Sequence, residues 1–307
     1  MSYSKWTPAD ISTQEGKRVI VTGANSGIGF HTAFELARAG AEVILACRRG
    51  KGPEARKRII DELPGARVSA AELDLASLAS VRAFASAQLA ENRAIDLLVN
   101  NAGVMAIPQR TVTEDGFETQ FGTNYLGPFA LTALLLPGLL GSRSPRVTMV
   151  SSAAHKQGRI NFDDLQSERS SSAWGAYGRS KLADLMFTFE LQRQSKLAGS
   201  SLLSTAAHPG YAVTNLQTSG PSKTTARLLG LVAPLMAQDA AHGAWPTLLA
   251  ATNPRAQPGD YYGPDGFIEM RGHPRLASVS PRARDEDSAN RLWNVSLKLT
   301  NVVFRWS

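Results

Sequence analysis

Two residues that could exchange a proton, Tyr177 and Lys181, stand four positions apart in the sequence. On a helix this spacing puts the phenol and the ammonium group on one face. A free phenol titrates at about pH 10, and a nearby cation favours its deprotonated form. The pair therefore suits proton transfer to or from a carbonyl oxygen. The same spacing also occurs in ordinary helix-surface pairs, so its meaning depends on what surrounds it.

A glycine-rich turn follows the first apolar segment and precedes a helical pattern. Gly23 would permit a tight exit from a strand, Gly27 would let a pyrophosphate approach the backbone, and Gly29 would allow close helix packing. The helix N-terminus would then favour the diphosphate. A turn without a ligand is the alternative. We predict that a dinucleotide binds to Gly23, Asn25, Ser26, Gly27, Ile28 and Gly29.

The segment Glu42–Ala46 reads as the second strand, and Cys47, Arg48 and Arg49 follow it without an acidic residue. An acid at this place usually binds the ribose 2′-hydroxyl of NAD, whereas a guanidinium suits a 2′-phosphate. The sequence therefore favours NADP, with Arg48 as its ligand. Simple surface charge is the alternative for both arginines.

The elements that would position these residues alternate between strand and helix. Several of the apolar runs are nearly continuous in Val, Ile and Leu, which indicates strands buried on both faces of a parallel sheet. Helical periods lie between them, and Ser77 is expected to cap the third helix. We predict a single doubly wound α/β (Rossmann) domain over residues 1–307. The tail, residues 292–307, is expected to pack against the domain or a second subunit, with contact to a membrane surface as the alternative. The predicted strands are Arg18–Val21, Glu42–Ala46, Val68–Leu73, Ile95–Val99, Val147–Val150 and Leu202–Ala206.

Further polar and small residues follow these strands, namely Asn100 to Gly103, Ser151-Ser152, and Pro209-Gly210 with Thr214. Open α/β sheets bind their ligands at this edge. In this order the motifs resemble the short-chain dehydrogenase/reductase family over about residues 16–270. Longer stretches are similar to its retinol dehydrogenase-like branch: residues 115–118 and 120–124, 162–165 and 180–183.

The resemblance implies a role for each matching residue. Tyr177 would be the general acid/base, and Lys181 would tune it and bind the nicotinamide ribose. Ser152 would polarise the substrate carbonyl, with Ser151 as the neighbouring candidate, and Asn124 would hold a water in a proton relay. Asp74 and Leu75 would meet the adenine, Asn101 the adenosine ribose, and Thr214 the carboxamide. The remaining implied cofactor contacts are Ala102, Gly103, Pro209 and Gly210.

The separation between Ser152 and Tyr177 exceeds that of the family's shorter members, as in the retinol dehydrogenase-like branch. The added segment, His155 to Trp174, is expected to form a loop on the substrate side. His155 itself is expected to be solvated or to cap a turn, with a position in the pocket wall near Ser152 as the alternative. Candidate apolar pocket walls are Met105, Ile107, Trp174, Tyr211 and Leu216.

Composition excludes several other classes of protein. The chain has 307 residues, of which 43% are hydrophobic, so it is not intrinsically disordered. A single cysteine rules out a disulfide framework, and the five histidines show no metal-ligand spacing, so we expect no metal. The net charge of +7 is scattered, without the pattern of a nucleic-acid site.

The longest apolar region, residues 129–140, is expected to be too short to span a membrane and to be broken at Pro137-Gly138. Because no N-terminal membrane anchor is seen, we expect a cytoplasmic protein. The family resemblance implies a homodimer or homotetramer. The predicted function is NADP-dependent hydride transfer to or from an apolar ketone, aldehyde or secondary alcohol. The alternative is a non-catalytic NADP(H)-sensing protein on the same fold.

Overall fold

The architecture is an eight-stranded sheet with helices on both faces, as seen in a computed structural model that describes residues 5–170, 172–211 and 238–306. The strand order is β3-β2-β1-β4-β5-β6-β7-β8, and every pair is parallel except β7 with β8. The prediction of a doubly wound α/β fold is confirmed. The strands are β1 (Arg18–Thr22), β2 (Glu42–Cys47), β3 (Val68–Glu72), β4 (Leu97–Asn100), β5 (Arg146–Val150), β6 (Leu203–Ala207), β7 (Tyr261–Pro264) and β8 (Pro274–Leu276).

Two hydrophobic cores lie on opposite faces of the sheet, because successive strand residues point to opposite sides. In β1, Val19 and Val21 belong to one core and Ile20 to the other. The principal helices are α1 (Gly27–Arg38), α2 (Gly52–Glu62), α3 (Leu78–Ala90), α4 (Thr119–Phe121), α5 (Gly127–Leu140), α6 (Ala173–Leu197), α7 (Ala240–Thr252) and α8 (Glu286–Thr300). Helices α1, α2 and α7 cover the first face, and α3, α5, α6 and α8 cover the second.

All six predicted strands are present within two residues of the predicted bounds. The predicted cap of α3 is also present, since the Ser77 hydroxyl accepts a hydrogen bond from the Ser80 N–H. Strand β7 completes the parallel part of the sheet, and β8 forms its antiparallel edge. Neither of these last two strands was predicted.

The expectation of a break at Pro137 is wrong. Helix α5 continues through Pro137 to Leu140, and with the preceding π-helical segment Gly122–Leu126 and α4 it forms a continuous helix over Thr119–Leu140. Its 22 residues are long and apolar enough to span a membrane by length and composition. Most of this helix is buried within the fold, between the sheet and its helical neighbours.

The C-terminal tail packs against the same domain. Leu292, Trp293 and Val302 are buried in the core on the α5–α6 face. The rings of Trp293 and Phe304 lie 4.3 Å apart and pack against Phe129 and Phe187. This aromatic cluster packs against α6 at Phe187, and α6 carries both Tyr177 and Lys181.

Candidate active site

The glycine turn after β1 is shaped by close backbone approaches. Gly23 and Gly27 both have positive φ angles, of 66° and 55°, in the region that favours glycine. A Cβ atom on Gly29 would lie 2.4 Å from the Gly23 carbonyl oxygen and 2.4 Å from the Asn101 amide nitrogen. The third glycine therefore brings the start of α1 against the ends of β1 and β4.

The N-terminus of α1 is open. Ser26 stands at the N-cap position, but its hydroxyl accepts no hydrogen bond from the first turn of the helix. By contrast, Ser77 in α3, Ser172 in α6 and Asp239 in α7 all cap their helices with a side-chain oxygen. The first N–H groups of α1 are therefore left for another acceptor, and the helix dipole favours an anion there.

Arg48 and Arg49 are exposed at the carboxyl end of β2, and neither forms an ion pair with any residue that the structure describes. After the neighbouring β3, the Asp74 carboxylate accepts the Ala76 N–H at 2.9 Å. Leu75 is buried in the core below this edge. The edge thus offers cationic groups after β2 and a self-capped turn after β3.

The end of β4 is joined to the end of β1 by the Thr22 side chain and the Asn101 amide. The Thr22 hydroxyl accepts the N–H groups of Asn101 and Ala102, each at 3.0 Å. The Asn101 side chain donates back to the Thr22 carbonyl at 2.8 Å. These bonds hold together the two strands between which the strand order reverses, which is where such sheets bind ligands.

Asn124 lies in the π-helical segment and fastens it to two other elements. Its carboxamide exchanges two hydrogen bonds with the Val104 backbone, at 2.7 and 2.9 Å, and donates to the Ser180 hydroxyl at 2.9 Å. The Ser180 hydroxyl in turn donates to the Tyr177 carbonyl at 2.8 Å. These bonds hold the π-helical segment against the loop after β4 and against α6.

Tyr177 and Lys181 lie on the buried face of α6, as their spacing predicts, with the Lys181 Nζ 5.9 Å from the centre of the Tyr177 ring. The ammonium donates to the Val150 carbonyl at 3.0 Å, at the end of β5, and to the Asp184 carboxylate at 2.9 Å. Burial alone would lower the pKa of Lys181, but Asp184 and Tyr177 together outweigh this effect and the pKa is raised. Lys181 therefore faces the phenol as a cation.

The two serines after β5 have different partners. Ser151 is buried, and its hydroxyl donates to the Lys181 carbonyl at 2.8 Å. Ser152 is partly exposed and caps the short turn Ala153–Lys156. That turn touches α6 at Gly178, whose added Cβ would lie 3.1 Å from the Ala154 carbonyl oxygen. Ser152, next to this contact, is the serine whose hydroxyl is available to a substrate.

The expectation that His155 is solvated is wrong. The ring is buried, with Nδ1 2.8 Å from the Ser152 carbonyl oxygen, and Nε2 accepts the Ser280 N–H at 3.2 Å. Burial lowers the pKa of His155 to about 4, so the ring is neutral at physiological pH. His155 therefore fixes the serine turn against the C-terminal part of the chain.

Pro209 and Gly210 follow β6 at the same edge. Gly210 has a φ of 66°, and an added Cβ would lie 2.3 Å from the Met270 carbonyl oxygen. Glycine is therefore required by both backbone conformation and space. Thr214, the implied carboxamide contact, and Leu216, a candidate pocket wall, lie outside the described residues.

The segment added between Ser152 and Tyr177 is an irregular loop attached to the core by polar contacts. Arg179 donates to the Asp164 carbonyl at 3.2 Å, and the Gln166 side chain accepts the Glu118 N–H at 2.7 Å. The loop leads to Trp174, whose side chain is 49% exposed and meets the Tyr177 ring edge-on at 6.0 Å. An apolar surface thus lies beside the phenol.

Three residues that were not predicted to belong to the site bond to predicted site residues, namely Thr22, Ser180 and Asp184. The position of Asp184, three residues after Lys181, was the available signal. A carboxylate three or four positions from a lysine on a helix is a frequent ion pair, but its complete burial depends on tertiary packing.

The residues at this edge fit a dinucleotide. The glycine turn after β1 supports this fit. Gly29 leaves no room for a Cβ atom and Gly27 has a positive φ angle. The first N–H groups of α1 have no side-chain cap. Such a backbone can approach a pyrophosphate closely. Within the described residues, Asn25, Ser26 and Ile28 complete the turn, and Gly103 borders both Asn124 and Lys181.

Comparison with known proteins gives the same family. Residues 17–224 match the short chain dehydrogenase family model. Human retinol dehydrogenase 13 is 44% identical, over 95% of this chain and 86% of its own length. The crystal structure of an uncharacterised Mycobacterium paratuberculosis protein, 42% identical, superposes with a TM-score of 0.80 over 98% of this chain and 99% of its own.

A more distant solved relative is a protein from Beutenbergia cavernae that is named as an NAD(P)-dependent gluconate 5-dehydrogenase by assignment and whose structure holds NADP at low occupancy. It is 26% identical, with a TM-score of 0.63 over 81% of this chain and 95% of its own. Together with the geometry of the sheet edge, these similarities identify the chain as a member of the short-chain dehydrogenase/reductase family of oxidoreductases, in its retinol dehydrogenase-like branch.

Proposed function

We propose that this protein transfers a hydride between NADP(H) and the carbonyl or alcohol carbon of an apolar ketone, aldehyde or secondary alcohol. The observation that carries the proposal is the Tyr177–Lys181 pair, whose ammonium is fixed to the end of β5 and faces the phenol. The pair lies at the carboxyl edge of the sheet, beside Gly103 and Asn124.

Each side chain has a task that its position supports. In the reductive direction Tyr177 donates its phenolic proton to the carbonyl oxygen, and in the oxidative direction it removes the alcohol proton. Ser152 donates a hydrogen bond to the oxygen as negative charge develops. Lys181 favours the phenolate that remains. NADP(H), when bound, supplies or accepts the hydride.

The preference for NADP rests on the end of β2. Arg48 and Arg49 are exposed and have no ion-pair partner in the described part of the chain, and no carboxylate follows the strand directly. A guanidinium there can bind a 2′-phosphate through charge-assisted hydrogen bonds, which are about twice as strong as neutral ones. The bound NADP of the Beutenbergia cavernae relative supports the same cofactor.

The apolar substrate class rests on the surface beside the phenol. Trp174 presents half of its indole to solvent next to Tyr177. Met105 and Ile107, on the loop after β4, are partly exposed and follow Val104, whose backbone is hydrogen-bonded to Asn124. The retinol named in the similar human protein is an apolar primary alcohol, the reduced form of an aldehyde, so it supports an apolar substrate and the aldehyde part of the proposed class.

The test is a matched screen of purified protein. NADPH and NADH oxidation are measured with a panel of apolar aldehydes and ketones, and NADP⁺ reduction with the corresponding alcohols. We expect turnover with apolar substrates and a preference for NADPH. Tight NADPH binding without turnover across the panel would favour a cofactor-sensing protein, and equal use of NADH would contradict the proposed cofactor.

A further inference from the structure

Helix α6 carries a third charged residue in line with the proposed catalytic pair. Tyr177, Lys181 and Asp184 stand at positions i, i+4 and i+7, so all three lie on one helix face. The Lys181 ammonium is held at 2.9 Å by Asp184 Oδ2 and at 3.0 Å by the Val150 carbonyl. One of its three protons therefore points to a counter-charge within the protein.

This carboxylate is unusual in its surroundings. Asp184 has no exposed surface, and its second oxygen, Oδ1, has no hydrogen-bond partner among the residues that the structure describes. A buried carboxylate with one unsatisfied oxygen is costly, whereas the neutral isostere asparagine could offer an oxygen to Lys181 at the same place without burying a charge. The feature that distinguishes aspartate here is its negative charge beside the ammonium.

Among the described residues, few other ionisable groups interact electrostatically with this pair. Asp184 interacts with Lys181 on α6, Tyr125 on the π-helical segment and Tyr261 on β7, and Lys181 also interacts with Tyr177. Burial raises the pKa of Tyr125 and of Tyr261 well above the usual phenol value, so both remain neutral. Burial also raises the pKa of Asp184, to about 6, against the opposing effect of Lys181. Of Asp184, Lys181, Tyr125 and Tyr261, only Asp184 and Lys181 are therefore charged at neutral pH.

We propose that Asp184 is a positioning residue that holds the Lys181 ammonium and partly neutralises the charge that it presents to Tyr177. This inference rests on the roles given to Tyr177 and Lys181 in the proposed function. An ion pair favours a phenolate less than a lone ammonium does at the same distance. Asp184 therefore moves the pH range in which the phenol gives up its proton upward, toward more alkaline pH.

The test replaces the carboxylate by its isostere, Asp184→Asn. We expect the pH midpoint of alcohol oxidation to fall by about one unit, since the uncompensated ammonium favours the phenolate more strongly. The matched control is Glu190→Gln, which removes another buried carboxylate of α6, one that is paired with Arg193 instead of Lys181. The control should keep the midpoint of the parent protein.

A second readout does not need turnover. The ionisation of Tyr177 is obtained from tyrosinate absorbance, as the difference between each protein and its Tyr177→Phe derivative. The midpoint should fall in Asp184→Asn and stay in place in Glu190→Gln. If Asp184→Asn does not fold, Asp184→Ser, which is smaller and also neutral, is expected to shift the midpoint in the same direction.

The outcomes separate this inference from the proposed function. An unchanged midpoint in a folded, neutral Asp184 variant that still reduces carbonyls would overturn the role of Asp184 and leave the function in place. A lowered absorbance midpoint in a protein that turns over no carbonyl or alcohol would support Asp184 as the positioning residue and contradict the proposed function.

Discussion

The two halves of the sheet edge differ in how far their polar groups are already paired. On the β1–β2 side, the N-terminus of α1 is uncapped and Arg48 has no ion-pair partner among the described residues. On the β4–β6 side, Asn124 and Lys181 are bonded to protein atoms. The first half is thus prepared to bind an anion from solvent, and the second holds its reactive groups in place before any ligand arrives.

The largest effect on activity is expected from a substitution on the β4–β6 side of the sheet edge, where the polar groups are already paired. Lys181→Met should lower kcat/KM by about 10²–10⁴-fold, because the phenol loses its cation. It should also lower the free energy of unfolding by about 3 kcal/mol at pH 8, because Asp184 remains as a buried, unpaired charge. Denaturation at several pH values and steady-state kinetics measure both effects.

The stability deficit of Lys181→Met should shrink at lower pH. Burial raises the pKa of Asp184 in the folded state, so the carboxylate takes up a proton on folding and the penalty decreases as the pH falls. Lys298→Met, at an exposed lysine of α8, serves as the control. A deficit that is the same at pH 5.5 and pH 8 would contradict the assignment of the loss to Asp184.

On the β1–β2 side of the sheet edge, a substitution should change the affinity for the cofactor. Arg48→Asp should raise the Kd for NADPH by about 10- to 100-fold, the loss expected for one or two charge-assisted hydrogen bonds, and should weaken NADH far less. Arg143→Asp, which changes the same charge at the opposite edge before β5, controls for long-range electrostatics. Equal losses for both cofactors in Arg48→Asp would remove the argument for a 2′-phosphate site.

The smallest effect is expected in the free energy of unfolding, when the two N-cap serines Ser77 and Ser26 are each replaced by alanine. Ser77→Ala should lower the free energy of unfolding by about 1 kcal/mol, because its hydroxyl caps α3. Ser26→Ala should cost less than about 0.5 kcal/mol without cofactor, because its hydroxyl makes no cap in α1. Chemical denaturation of both variants measures these losses. Equal losses of the free energy of unfolding would show that the Ser26 hydroxyl caps α1 as Ser77 caps α3.

The sequence was informative about strands that are buried on both faces. Segments such as Val19–Val21 and Val43–Ala46 are continuous apolar runs because parallel strands lie between two helical layers. Strands β7 and β8 escaped prediction because they are short and contain proline or glycine. Pro137 removes one backbone N–H donor from α5, but the helix continues through it because the neighbouring Leu135, Leu136 and Leu139 are buried in the core.

The candidate site was predictable where spacing along one helix or one turn decides the geometry. Tyr177 and Lys181 share a helix face by their spacing alone. The burial of Asp184 and His155 was not predictable, because it results from packing between segments that are distant in the sequence: Asp184 faces β7, and His155 meets Ser280. Such contacts leave no local pattern.

The measurement that tests the central claim most directly is the turnover of Tyr177→Phe alongside its affinity for NADPH. We predict that kcat falls by at least about 100-fold, because the proton donor is gone, while the Kd for NADPH stays close to that of the parent. Tyr125→Phe, which removes a buried phenol bonded to Ser296, should remain active. Normal turnover in Tyr177→Phe would contradict the account.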